Sequence, residues 1–355
     1  MTILILGGTG AMGTHLVDIL RRGNLDVTVT SRTQNGLKDG ICYVRGDAQH
    51  NNFLTDILKQ QRWDAIIDFM VYSTLGFQAR AKSLLDATDQ YIFLSSARVY
   101  ADTNEPLTEN SPRLLDVSTD QDYLQTDEYA LSKARQENIL TDSRRSNWTI
   151  IRPYITFSDQ RLQLGVLEKE DWLFRALGGR AVVFSSDINI RTTTLTHGAN
   201  VALGIRSLIG QPAALGEAFH ITSNRSFLWS DVLETYVSTL KKHLGSGPRI
   251  CLVDLPTFMR THTGKYQIIY DRLFNRRFNN DKIAHFLNLE SFADPLLALQ
   301  SSLKFFLNDP KFKYISGKTE ALRDLVTGER TPLAQLPDLK QRLHYAVVRN
   351  TFTNY

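Results

Sequence analysis

Cysteine is scarce in this chain: only Cys42 and Cys251 occur among 355 residues. They form neither the paired spacing of a metal site nor a disulfide framework, so no metal and no redox role is expected, and a reducing compartment suits the sequence. Long apolar runs are missing as well. Nothing approaches the ~18 apolar residues of a membrane span. Met1 leads directly into an apolar strand with no basic-then-apolar leader, so a cytoplasmic location and no membrane partner are expected. Internal repeats and low-complexity tracts are absent, and no basic-aromatic repeat marks a nucleic-acid surface. The formal charge of +4 hides an asymmetry: residues 241–355 hold 18 Lys and Arg against 10 Asp and Glu, a net +8, which leaves −4 for the first 240. Such a basic third can meet phosphate or be a solvated face, and without a fold signature nucleic acid is not an expected partner. The remaining chain, 42% apolar and 22% charged, can bury the core of one large or two modest domains.

Ile3-Leu4-Ile5-Leu6 followed by Gly7-Gly8-Thr9-Gly10-Ala11-Met12-Gly13 is the stretch on which the rest depends. Four apolar residues stopped by two glycines predict a buried parallel strand that ends in a tight turn. Gly7 allows the turn, Gly10 lets the backbone approach a pyrophosphate, and Gly13 lets the next helix pack close to the strand. His15 to Leu20 carries the apolar spacing of a sheet-packed helix, whose first amides and dipole favour an anion. Three glycines alone can mean only tight packing. A strand before and a helix after them point to a dinucleotide held by Gly7, Thr9, Gly10, Ala11, Met12 and Gly13.

Asp26 to Thr30 predicts a second strand ending at Ser31-Arg32. The residue at that tip selects the cofactor: an acid accepts from the ribose 2′-hydroxyl of NAD, whereas Arg beside a small hydroxyl suits the 2′-phosphate of NADP. No acid stands here, so NADP is expected, with NAD the alternative. A third strand, Ile41 to Val44, runs towards Asp47, which either accepts from the adenine amino group or caps the turn. Asp64 to Met70, Tyr91 to Leu94 and Trp148 to Ile151 predict three more strands, with a helix from Leu75 to Thr88. This alternation implies an α/β fold with a doubly wound parallel sheet. The fifth strand delivers Ser95-Ser96 to the carboxyl end of the sheet, where such folds bind ligands. Residues 101–127 read as a long surface excursion, and Thr126 as the cap of a helix with Asp127 and Glu128 in its first turn. Tyr129 and Lys133 share one face of that helix. A Tyr-Lys pair at this spacing is common by chance, but its place after a strand ending in Ser-Ser points to catalysis. The alternation stops beyond Phe157. The expected domains are therefore 1–160, binding the dinucleotide, and 161–355, a smaller mixed α/β substrate domain with a helical tail, some of whose segments return to the first. The tail packs on the body or on another subunit, so a homodimer is one expected assembly.

GGTGAMG at 7–13, SSARVYAD at 95–102, YALSK at 129–133 and IRPYITFSD at 151–159, in this order, resemble the NAD(P)-dependent epimerase/dehydratase family, the extended branch of the short-chain dehydrogenase/reductases. The resemblance implies a Rossmann domain and, as for most members, action on a nucleotide sugar. Tyr129 would be the acid/base that exchanges a hydroxyl proton while a hydride passes to or from the nicotinamide. Lys133 would hold the nicotinamide ribose, and its charge would favour tyrosinate. Ser96 would hydrogen-bond the reacting oxygen, with Ser95 beneath it. Arg191 corresponds to an arginine that grips the substrate diphosphate; a structural salt bridge reads equally well. Ala97 and Arg98 stand where 4,6-dehydratases carry acids, so elimination is not expected, and Ile155 replaces an Asn that many members hold near the sugar. The implied function is an oxidoreductase or epimerase acting on a hydroxyl or keto carbon of a nucleotide-linked sugar. An NADPH-dependent carbonyl reductase of a non-nucleotide substrate fits the same residues. A non-catalytic regulatory or RNA-binding protein is the third reading, against which the intact Ser96, Tyr129 and Lys133 argue.

Overall fold

Ile3 and Ile5 face one apolar layer and Leu4 and Leu6 the other, all four fully buried. A continuous apolar run forms a strand here because both faces of the sheet are covered. The computed structural model describes residues 1–23 and 25–351. The strand is β1 (Thr2–Leu6) of an eight-stranded sheet, with β2 (Asp26–Ser31), β3 (Gly36–Lys38), β4 (Ile41–Arg45), β5 (Trp63–Asp68), β6 (Thr88–Leu94), β7 (Trp148–Pro153) and β8 (Glu217–Ile221). The order is β8-β7-β6-β5-β1-β2-β4-β3. Every neighbouring pair is parallel except β3 with β4. The short, exposed antiparallel β3 is an element that the sequence pattern does not announce. The winding reverses between β1 and β5, so the carboxyl ends of β1 and β5 flank the crevice where doubly wound sheets take their ligands.

Helices α1 (Gly13–Arg22), α2 (Asn51–Leu58), α3 (Thr74–Asp86), α4 (Tyr129–Thr141) and α5 (Gly198–Leu208) cover the two faces. Leu16, Val17 and Leu20 of α1 with Val201, Ile205 and Leu208 of α5 fill one layer. Leu54 of α2, Phe77 and Leu84 of α3, and Leu140 of α4 fill the other. This is an α/β doubly wound parallel sheet.

The chain forms two compact units. Met1–Ser158, Thr194–Arg225 and Arg277–Pro295 make the first; Asp159–Thr193, Ser226–Arg276 and Leu296–Tyr355 make the second. In the second, Val182–Ser185 pairs parallel with Ile250–Val253. Arg175, fully buried on the helix Lys169–Leu177, is held by Glu320 at 3.0 Å and Asp324 at 2.9 Å from the helix Gly317–Thr327. Arg272, Arg276 and Arg323, three of the cations that make the last third basic, are buried beside Asp271, Asp171 and Glu320. Their charge is neutralised inside rather than presented to solvent. Among the described residues no helix is long and apolar enough to cross a membrane, and no group of His, Cys, Asp and Glu is arranged to hold a metal.

Candidate active site

The turn after β1 leaves the strand through Gly7, whose φ of +74° lies in the region that favours glycine. Its amide donates to Thr30 Oγ1 of β2 at 3.1 Å, and the Thr9 amide donates to the Gly7 carbonyl at 2.9 Å. A Cβ on Gly13 would lie 2.7 Å from the Gly8 backbone, so the start of α1 can pack this closely only as glycine. A Cβ on Gly10 would meet nothing within 4 Å. Met12 occupies the N-cap of α1 without a side-chain cap, and its sulfur accepts from Thr156 Oγ1 at 3.7 Å. The Ala11 carbonyl abuts Gly198 at the start of α5. An uncapped helix N-terminus beside an open glycine suits a dinucleotide pyrophosphate, which takes amide hydrogen bonds and the positive end of the helix dipole.

At the tip of β2, Ser31 is buried, and its Oγ accepts from the amides of Thr33 (3.3 Å) and Gln34 (3.1 Å). Arg32 is exposed and makes no ion pair among the described residues. Asp47 accepts from the Gln49 amide at 2.9 Å, as a turn cap does.

Strand β6 carries Ser95 and Ser96 to its carboxyl end. Ser96 Oγ accepts from the Arg98 amide at 3.2 Å, capping the short turn Ala97–Val99. Ser95 Oγ donates to Glu137 Oε1 at 2.6 Å. Tyr129 opens α4, one turn before Lys133. The lysine Nζ donates to the Leu94 carbonyl at 2.7 Å, 4.5 Å from the Phe93 ring centre and 6.0 Å from that of Tyr129. Arg98 lies 5.2 Å from the Tyr129 ring centre and pairs with Glu128 at 2.5 Å. Ser96, Tyr129 and Lys133 thus meet at the end of β6. The helix cap is Glu128, which accepts from the Ala130 amide at 2.8 Å, and not Thr126 as the sequence suggests. Thr126 accepts from the Glu128 amide instead. Asp127 lies outside the helix and accepts from the Thr74 amide at 3.0 Å.

Burial pushes Lys133 down to about 8, while the charges of Asp68 and Glu137 act the other way. Glu137 and Asp68 escape the sequence reading, and Arg98 enters it only as the residue standing where 4,6-dehydratases carry an acid. Glu137, buried on α4, is clasped by Arg152 (2.8 Å) and Arg113 (3.1 Å) as well as by Ser95. Arg98 is tied to Glu128. Asp68 is fully buried at the end of β5. Arg191 lies in the second unit, where its amide donates to the Ile188 carbonyl and its carbonyl accepts from Trp229. Its Nε is buried without a hydrogen bond, and no ion pair engages it among the described residues.

Residues 3–165 match the NAD dependent epimerase/dehydratase family. A UDP-glucose 4-epimerase of Lacticaseibacillus casei is 25% identical over 162 residues, 39% of this chain and 46% of that protein. One of Erwinia amylovora is 28% identical over 177 residues, 41% and 50% of the two chains. The chain therefore spans about half the length of the curated relatives it matches. Among solved structures, the epimerase Mth375 of Methanothermobacter thermautotrophicus superposes with a TM-score of 0.67 at 15% identity, covering 87% of this chain and 92% of that one. UDP-glucuronic acid 4-epimerase of Bacillus cereus, in complex with UDP-glucuronic acid and NAD, gives 0.64 at 15% identity, with 87% and 99% covered. These structures share the fold. Residues 3 to 165, a little under half of the chain, carry this similarity to the NAD dependent epimerase/dehydratase family.

Proposed function

We propose that the protein is an NAD(P)-dependent epimerase or oxidoreductase acting on a hydroxyl or keto carbon of a nucleotide-linked sugar. The observation that carries this reading is the meeting of Ser96, Tyr129 and Lys133 at the carboxyl end of β6, in a sheet whose first turn fits a dinucleotide. Gly7, Thr9, Gly10, Ala11, Met12 and Gly13 would hold the pyrophosphate, with Ser31, Arg32 and Asp47 around the adenosine. The bound nicotinamide supplies hydride transfer. Tyr129 takes the proton of the sugar hydroxyl and returns it, and Ser96 hydrogen-bonds the same oxygen. Lys133 and Arg98 place two positive charges near the Tyr129 ring, and both favour negative charge on its oxygen. Arg98, paired with Glu128, stands where a dehydratase needs an acid to expel water, which supports epimerisation or reduction over elimination.

The direct test is incubation with UDP-glucose, UDP-galactose and UDP-glucuronic acid in the presence of NAD or NADP, with products separated by chromatography. Conversion of a nucleotide sugar supports the reading. Turnover of a simple aldehyde with equal efficiency would favour the carbonyl reductase, in keeping with apolar Ile155 in place of the family's Asn.

Two smaller effects follow. Arg32, exposed and unpaired at the tip of β2, is inferred to take the 2′-phosphate of NADP. A charge-assisted contact of this kind contributes ~1.5–3 kcal/mol, roughly ten- to a hundredfold. Calorimetry should therefore show NADP binding more tightly than NAD, and Arg32→Ala should erase the difference; equal affinities in the wild type would refute it. Arg191, whose buried Nε lacks a partner, is inferred to grip the substrate diphosphate. Arg191→Ala should weaken nucleotide-sugar binding by ~1.5–3 kcal/mol and leave cofactor affinity alone. Unchanged sugar-nucleotide affinity in a thermal-shift titration would remove Arg191 from the site.

A further inference from the structure

Asp68 is an acid that follows three buried apolar residues, 0% exposed at the carboxyl end of β5. In the parallel β5–β6 ladder it stands opposite Phe93. That is the residue over whose ring the Lys133 ammonium sits, while Lys133 donates to the next carbonyl, Leu94. Acid and amine therefore arrive at the same end of the same strand pair. The carboxylate accepts from Tyr91 Oη at 2.8 Å, Tyr72 Oη at 3.1 Å and the Met70 amide at 2.9 Å. Burial raises the Asp68 pKa above the ordinary carboxylate value, while these three hydrogen bonds and the charge of Lys133 act the other way, towards the ionised form.

A buried carboxylate also needs a counter-charge. No Arg or Lys lies within 4.0 Å of Asp68 among the described residues, and the cation that favours its charge is Lys133. The other ionisable groups around the lysine are already committed. Glu137, on the same helix, is neutralised by Arg152 and Arg113. Arg80 of α3 lies over the Tyr72 ring at 4.3 Å, Tyr91 of β6 donates to Asp68, and Tyr129 lies on the lysine's own helix. Asp68 is thus the acid near Lys133 that no arginine has claimed.

We propose that Asp68 is a positioning residue: the buried counter-charge that keeps the Lys133 ammonium charged beside Tyr129. The role rests on the reading that Lys133 serves Tyr129 in catalysis. Without Asp68 the lysine would face burial with only the twice-paired Glu137 for compensation and would lose its proton at lower pH.

The test is the titration of Lys133 in the full chain, followed by the 13Cε shift of labelled lysine, with the signal assigned by its loss in Lys133→Met. Wild-type Lys133 is expected to titrate near pH 8. In Asp68→Asn, which keeps the size and removes the charge, the midpoint should fall by more than one pH unit; an unmoved or raised midpoint overturns the proposal. Should Asp68→Asn not fold, Asp68→Ser decides. It also removes the charge, in a smaller side chain, and should likewise lower the midpoint, and no movement there counts equally against the idea. In both variants the alkaline fall of kcat should move down with the lysine titration while KM changes little, a pattern that simple loss of stability does not produce. If the wild type converts no nucleotide sugar, the epimerase reading fails, while the lysine titration still decides whether Asp68 is the counter-charge.

Discussion

Tyr129→Phe should lower turnover of a nucleotide sugar by about 10²–10⁴-fold, the usual contribution of a positioned proton-transfer group. The dinucleotide should bind almost as tightly as to the wild type. The substitution removes one oxygen from the first residue of α4 and leaves the ring, so the contacts with Arg98 and Lys133, 5.2 and 6.0 Å from its centre, persist. The glycine turn at 7–13 lies on a different element and is untouched. The contrast with Lys133→Ala sharpens the prediction. That change removes a side chain 2% exposed and its bond to Leu94, and should weaken both turnover and cofactor affinity, because the same amine is inferred to hold the ribose. Single-turnover rates and cofactor calorimetry on both variants separate the roles. A Tyr129→Phe enzyme with near-native turnover would assign the proton transfer to some other group.

Much of the scaffold was legible because its signals are local. An apolar run that stops at Gly7-Gly8 permits few conformations, and each parallel strand from β1 to β7 reads as a short apolar segment whose end is marked by a charged or small residue. The Ser-Ser and Tyr-Lys positions follow once those strands are counted. The place of β8 beside β7 was not legible, since the pairing of Phe219 with Ile151 joins residues far apart in sequence. The same holds for Glu137. Its helix position one turn after Lys133 could be read directly, but its clasp by Arg152 from β7 and Arg113 from the long excursion depends on tertiary placement. Asp68 did leave a trace: a charge closing Trp63–Asp68 amid Ala65, Ile66 and Ile67 is unexpected in a strand covered on both faces. The Thr126 cap misled because Ser, Thr and Asp all make good caps. The choice fell to Glu128 once Thr74 had engaged Asp127.

Glu137→Leu should be among the most destabilising single changes in the first unit, at about 3–5 kcal/mol, the scale of breaking a buried ion pair from one side. The Glu137 side chain is 1% exposed and that of Arg152 7%. Removing the acid strands the Arg152 guanidinium, which among the described residues keeps the Tyr100 hydroxyl at 3.0 Å, the Glu109 carbonyl at 2.9 Å and the Tyr100 ring at 5.0 Å but no counter-charge, and deprives Ser95 of its acceptor beneath Ser96. Arg113 suffers less, because it also pairs with Asp116 at 2.8 Å. Arg152→Met should cost less than Glu137→Leu, since Glu137 would keep Arg113 and the Ser95 hydroxyl. Combining the two changes gives the decisive sign. With neither charge left in the buried position, adding Arg152→Met to Glu137→Leu should recover stability instead of lowering it further, a coupling that a double-mutant cycle in urea measures directly. Simple addition of the two losses would mean that the charge pairing contributes little and that packing of the two side chains sets the stability at this point.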